Sequence, residues 1–111
     1  SVPIPDLVNE PDKYNFRYTI SGPEEVAPIR IFDDGQFTYF EFRDKNADVP
    51  AFFTVNRDNE EALINYRTRG KYIVVERVSQ RMTLRHGKQV ICVFNEAWNP
   101  AKLPPAPTDQ R

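Results

Sequence analysis

Residues 28–42 read PIRIFDDGQFTYFEF, two runs of β-branched and aromatic residues joined by Asp33-Asp34-Gly35. Such runs are typical of β-strands, and Asp followed by Gly is a common turn between two strands. A second pair of runs, 62–67 and 71–77, lies further along the chain on either side of Gly70. The two pairs predict an all-β protein built from hairpins.

The rest of the chain follows the same pattern, because turn residues separate short apolar runs. The four glycines lie between such runs. The pattern predicts eight strands, at 14–20, 29–33, 36–43, 51–56, 62–67, 71–77, 81–86 and 89–95. Eight short strands with regular turns favour an antiparallel β-sandwich, with a small β-barrel as the alternative.

Proline marks both ends of the chain. Seven of the ten prolines lie in residues 1–12 and 99–111, where they disfavour sheet and predict extended segments. We therefore divide the chain into a proline-rich arm, 1–12, a β-sandwich domain, 13–98, and a proline-rich tail, 99–111, of which 101–111 is expected to be mobile. The start at Ser1, just before two prolines and without a secretory signal pattern, suggests a fragment whose targeting segment lies elsewhere.

Length and charge restrict the class of protein. A chain of 111 residues fits one domain that folds around an apolar core without a metal or disulfide. Fifteen basic and sixteen acidic residues give a net charge of −1. Since nucleic-acid binding usually needs a basic face, we expect no direct binding to nucleic acid.

The sequence offers little material for catalysis. His86 is the only histidine and precedes Gly87 in a predicted turn. Asp33 and Asp34 are adjacent, so in a strand they point to opposite faces, and we interpret them as turn residues. The single Cys92 lies in an apolar run, which favours a buried side chain over an intermolecular disulfide. We expect no enzyme, no cofactor and no metal site.

A binding surface is the remaining possibility, because a sandwich has edge strands that another chain can extend. Strand 14–20 is the best candidate edge, since it follows the proline-rich arm and places large side chains on one face. Those side chains belong either to the core or to a groove, and Trp98 after the last strand either caps the core or anchors a partner. The candidate partner-binding residues are Tyr14, Phe16, Arg17, Tyr18, Ile20 and Trp98.

Strand 36–43 has aromatic residues on both faces. Phe37 and Tyr39 point one way, whereas Phe40 and Phe42 point the other. This pattern indicates either a central strand or a strand with one face covered by a partner.

Several motifs, in order along the chain, resemble the C-terminal domain of the CagX/TrbG family, the VirB-nine-like subunits of type IV secretion systems. They are the stretch 28–40, then Val49-Pro50-Ala51-Phe52-Phe53, Leu63-Ile64-Asn65-Tyr66-Arg67, Tyr72-Ile73-Val74-Val75-Glu76-Arg77 and Leu84-Arg85-His86-Gly87. Together they cover about residues 28 to 94. Strand 14–20 matches no motif of the family.

The resemblance implies a non-catalytic β-sandwich in a periplasmic subunit of the outer-membrane core complex, used in conjugation or effector export. It implies three partners: a small outer-membrane lipoprotein, the TonB-like channel subunit, and further copies of the subunit in a ring. The alternative is a carbohydrate-binding or adhesin-type β-sandwich, which would expose aromatic rings such as Phe37, Tyr39 or Trp98 to sugars.

Overall fold

The computed structural model describes residues 2–44 and 48–98. Within them the chain forms nine strands and two short 3₁₀ turns, at Pro11–Lys13 and Glu24–Val26. The strands are β1 (Tyr18–Ser21), β2 (Pro28–Asp33), β3 (Thr38–Phe42), β4 (Ala51–Val55), β5 (Glu61–Ile64), β6 (Arg67–Arg69), β7 (Tyr72–Val75), β8 (Arg81–His86) and β9 (Gln89–Asn95). The predicted tail, 99–111, and the mobility expected of 101–111 lie outside the described residues.

The strands form two antiparallel sheets that pack face to face. One has five strands in the order β1-β9-β8-β4-β5, and the other has four in the order β2-β3-β7-β6. Tight turns that contain Gly35, Gly70 and Gly87, all with positive φ, join β2 to β3, β6 to β7 and β8 to β9. The predicted all-β antiparallel sandwich is confirmed.

Two strand predictions need correction. The predicted strand 62–67 is two strands, because β5 pairs with β4 in one sheet and β6 pairs with β7 in the other. Asn65 and Tyr66 make the crossing between them. The division raises the number of strands from the predicted eight to nine among the described residues.

The predicted strand 14–20 is also wrong in extent, since β1 begins only at Tyr18. Asn15 forms an isolated bridge with Asp33 of the four-stranded sheet, whereas Tyr18 pairs with Asn95 of the five-stranded sheet. The chain therefore passes from one sheet to the other within three residues, with a tight turn in which the Tyr18 N–H donates to the Phe16 carbonyl at 2.8 Å. The even-numbered side chains from 14 to 20 consequently do not share one face.

The space between the sheets holds the main core. Phe40 of β3 and Phe52 of β4 are fully buried there, with ring centroids 4.9 Å apart. Both sheets contribute the remaining buried members, which are Ile31, Ile73, Val75, Met82, Leu84, Ile91 and Val93. Burial of this apolar surface is the main force that holds the two layers together.

A second cluster lies on the outer face of the four-stranded sheet. Its buried members are Val2, Phe32, Phe37, Tyr39, Tyr72 and Val74. Residues 2–14 cross this face and contribute Val2, Leu7 and Tyr14 to the cluster. They include most of the predicted proline-rich arm, 1–12, and from here on the name arm means residues 2–14. This arrangement explains the aromatic residues on both faces of β3, which is central in its sheet and is covered outside by the chain itself.

Candidate partner-docking edge

The two sheets end in four edge strands, and three of them have features that hinder the addition of another strand. In β2, Pro28 and the register shift at Ile29 disrupt one end, and the bridge to Asn15 closes the other. Strand β6 has three residues, two of them exposed arginines. Strand β5 begins with Glu61, whose carboxylate accepts two hydrogen bonds from Arg85. Prolines, bulges, charges and short strands all discourage edge-to-edge pairing.

Strand β1, with the sequence Tyr-Thr-Ile-Ser, contains no charged residue and no proline. It pairs with β9 on one side and is the last strand of its sheet on the other. Among the four edges of the described residues, it is therefore the one whose sequence does least to prevent a further strand from pairing with it.

The register of the β1–β9 ladder fixes which backbone groups face outward. The Glu96 N–H donates to the Arg17 carbonyl at 2.7 Å, just beyond the end of the ladder. Hydrogen-bonded pairs alternate along an antiparallel ladder, so Thr19 and Ser21 bond to β9. The carbonyl of Tyr18 and both backbone groups of Ile20 then face the open edge.

The candidate residues predicted from sequence lie in different environments. Tyr14 and Phe16 precede β1 and contact Phe32 on the arm side of the other sheet, with ring centroids 5.5 and 5.2 Å from its ring. Tyr14 is partly buried, and its hydroxyl accepts the Asp6 N–H at 3.0 Å. Phe16 is 44% exposed, so part of its ring remains available to a partner.

The other candidates lie at or beside β1. Tyr18 packs against the inter-sheet core, whereas Ile20 is 39% exposed at the open edge. Arg17 is exposed and contributes the carbonyl that bonds Glu96. Trp98 is half-buried. Its backbone N–H donates to the carbonyl of Asn95, the β9 partner of Tyr18. Tyr18 and Ile20 thus belong to β1, Phe16 and Arg17 lie just before it, and Trp98 follows the neighbouring strand β9.

Asp33 has a role beyond the turn that the sequence predicts for it. We interpreted it as a turn residue, and its Oδ1 does accept the Gly35 N–H at 3.0 Å. Its side chain is also buried, and Oδ2 accepts the Tyr18 hydroxyl at 2.6 Å. Burial and the neighbouring carboxylate raise the pKa of Tyr18 far above its ordinary value, so the hydroxyl stays protonated and donates. In β2, Asp33 lies two residues after buried Ile31, so strand alternation points both side chains to the inner face of the sheet. This alternation is the sequence signal that could have identified the buried carboxylate.

A cavity of about 320 Å³ opens at the end of the sandwich that holds the start of β2, the end of β3 and the turn at Gly70. The connection after β1 contributes Val26 and Ala27, and Phe42, Val49 and Ile73 contribute apolar surface from the other side. No residue of β1 lines the cavity, and Glu25, Arg43 and Lys71 place charges in its wall, so it is a site separate from the β1 edge.

Other kinds of site have less support. Phe37 and Tyr39 are buried beneath the arm, so they form no exposed platform for sugars. In residues 2–44 and 48–98, no three His, Cys, Asp or Glu side chains are grouped to hold a metal ion. The same residues include no helix with the length and apolarity of a membrane span.

Comparisons with known proteins give a consistent result. A family model described as conjugal transfer protein, CagX, matches residues 3–96, which include all nine strands. Protein virB9 of Agrobacterium fabrum is 37% identical over 86 residues, which are 78% of this chain and 29% of that protein. Type IV secretion system protein virB9 of Brucella abortus is 36% identical over 100 residues, 85% of this chain and 34% of that protein.

A further relative has a lower identity over a longer match. Type IV secretion system protein virB9 of Bartonella henselae is 30% identical over 105 residues, 92% of this chain and 36% of that protein. The chain spans about a third of the length of these curated relatives.

Proposed function

The chain belongs to the CagX family of conjugal transfer proteins, and from that premise we propose that it is a domain of a structural subunit of a type IV secretion system. In this proposal the domain binds a small outer-membrane lipoprotein, one segment of which adds to the β1 edge as an extra strand. The domain acts by assembly and catalyses no reaction.

The observation that supports this proposal is the outward-facing backbone of β1. Ile20 presents an N–H and a carbonyl, and Tyr18 presents a carbonyl, all toward the same open edge. In strand addition, main-chain hydrogen bonds supply affinity and side-chain pockets supply specificity. The exposed part of Ile20 would contact apolar side chains of the added segment.

The wider assembly is part of the same proposal. Relatives of the chain are named as type IV secretion system proteins. We propose that the domain lies in the periplasm beside the outer membrane, in contact with the TonB-like channel subunit and with further copies in a ring. The lipoprotein occupies β1, so the channel subunit and the neighbouring copies would use other surfaces.

A nitrogen-15 NMR titration with the mature soluble part of the cognate small outer-membrane lipoprotein tests the proposal. We expect saturable shifts at residues 17–21, with little change at β6. The absence of shifts at a large excess of the lipoprotein would reject it. Shifts confined to β6 or to the arm would place the partner elsewhere.

A further inference from the structure

We propose that Asp33 is a positioning residue for the β1 edge, because its carboxylate joins β1 to the opposite sheet and to the end of the arm. The inference rests on the proposed function, since it concerns how the same edge is held ready for a partner strand. Asp33 belongs to β2 and does not lie at the edge itself.

The carboxylate receives donors from three parts of the chain. Oδ2 accepts the Tyr18 hydroxyl at 2.6 Å and the Asn15 side-chain amide at 2.9 Å. Oδ1 accepts the Gly35 N–H at 3.0 Å. The Asn15 amide also donates to the Asn95 side-chain carbonyl at 3.0 Å, which reaches the end of β9. Asp33 is only 5% exposed, so these hydrogen bonds stand in for lost water.

Tyr18 and Asn15 are the two ends of the segment that crosses between the sheets. One carboxylate oxygen accepts from both, and backbone hydrogen bonds in both directions join Asn15 to Asp33. The segment is thus fixed at its start and at its finish. Because β1 has only four residues and one neighbouring strand, this attachment restricts how the edge can move.

Loss of the attachment would affect β1 more than the core. The isosteric Asp33→Asn removes the charge and leaves one acceptor oxygen for three donors, so at least one donor loses its acceptor whichever way the amide is turned. The hydrogen bonds that remain to Tyr18 and Asn15 lose their charge assistance and become weaker. The strand would then sample other arrangements, and a partner would bind only the fraction of molecules with β1 correctly placed.

The test measures amide hydrogen exchange and lipoprotein binding on the same variants. In Asp33→Asn we expect exchange at Thr19 and Ser21, which bond to β9, to become at least about tenfold faster, with exchange at Leu84 and Ile91 changed much less. Asp34→Asn is the matched control, because it makes the same change one residue away and keeps the Oδ1 that caps the turn. Equal acceleration at all four amides, or no change, would overturn the inference.

Binding of the mature soluble lipoprotein gives the second readout. We expect about a tenfold loss of affinity in Asp33→Asn, the size expected for removing acceptors from buried donors. Tyr18→Phe keeps the ring and removes one donor, so it tests the same hydrogen bond even if the Asp33→Asn protein does not fold. The double variant should lose less affinity than the sum of the single changes, whereas additive losses would contradict a shared role.

The two readouts separate the two proposals. If the wild-type domain does not bind the lipoprotein, the proposed function fails, yet the exchange data on the free domain still decide whether Asp33 holds β1. If the wild type binds and Asp33→Asn binds equally well, the positioning role fails while the proposed function stands.

Discussion

Strands β1 and β6 are both edge strands, but they present different surfaces to a partner strand. Strand β6 has exposed Arg67 and Arg69, and the Arg67 guanidinium lies 3.7 Å from the Glu76 carboxylate. Strand β1 has no charge, and its Ile20 is partly exposed. Solvated charges at an edge must lose water before another strand can pair, so β6 resists addition and β1 permits it. A difference in edge chemistry, rather than in strand order, thus distinguishes β1, the proposed docking edge, from β6.

The largest effect that we expect comes from Ile20→Pro. Proline removes the N–H that faces the open edge but takes no hydrogen bond from the β1–β9 ladder, and edge strands tolerate proline in that orientation. We expect the domain to remain folded and its affinity for the lipoprotein to fall at least about a hundredfold, because a central main-chain bond is lost and the ring obstructs the added strand. Isothermal titration calorimetry measures the loss.

Thr68→Pro is the control on β6. The two-residue turn at Gly70 and Lys71 makes Arg69 and Tyr72 a hydrogen-bonded pair, so the backbone of Thr68 faces outward as that of Ile20 does. We expect unchanged lipoprotein affinity. Equal losses in the two proline variants would remove the distinction between the edges.

A smaller effect is expected at the arm, which covers the outer face of the four-stranded sheet. Val2 is 7% exposed within the outer aromatic cluster, so Val2→Asp would place a carboxylate in an apolar site. We expect the free energy of unfolding to fall by about 2 kcal/mol, measured by urea denaturation. Val8→Asp is the control in the same arm, because Val8 is 87% exposed and its replacement should change stability little. Similar losses of unfolding free energy in both variants would contradict the packing of Val2 in the outer aromatic cluster.

The smallest effect concerns the charged pair at β5. The hydrogen bonds from Arg85 lower the pKa of the Glu61 carboxyl. A lowered pKa in the folded state gives a stabilisation that is present above the unfolded pKa and disappears as the pH falls through the folded value. Both groups are largely solvated, so the stabilisation is slight.

Thermal unfolding of Arg85→Met at two pH values checks this pair. Its melting temperature should lie slightly below that of the wild type at pH 7, and the difference should shrink at pH 3. Arg57→Met, which removes the same charge from the turn between β4 and β5, should show no such pH dependence. A difference for Arg85→Met that is equal at both pH values would contradict the assigned pair.

Local patterns were sufficient to predict most of the fold. The turns are found where they were predicted, at Asp33-Asp34-Gly35, Arg69-Gly70 and His86-Gly87-Lys88. The conformation of a tight turn is set by its own few residues, so the local sequence is enough to predict it. Two of the eight predicted strands, 14–20 and 62–67, are wrong at the points where the chain changes sheets. At Asn65-Tyr66 and between Asn15 and Tyr18 the β-pattern continues in sequence, while the pairing partner changes through long-range contacts.

The candidate site was less accessible to prediction for the same reason. Sequence alternation suggested that Tyr14, Phe16, Tyr18 and Ile20 share a face, but the crossing sends the first two to the outer aromatic cluster. The role of Asp33 depends on Asn15, Tyr18 and Asn95, which are up to 62 positions away from it in the chain and meet only after folding. The arm over β3 likewise joins residues that no local pattern connects.

The most direct test of the docking edge is the exchange rate of the Ile20 amide hydrogen with and without the mature soluble lipoprotein. Because this N–H faces the open edge, strand addition should slow its exchange by at least about a hundredfold, while exchange at Thr68 stays unchanged. Saturating lipoprotein that leaves exchange at Ile20 as fast as in the free domain would contradict strand addition at β1.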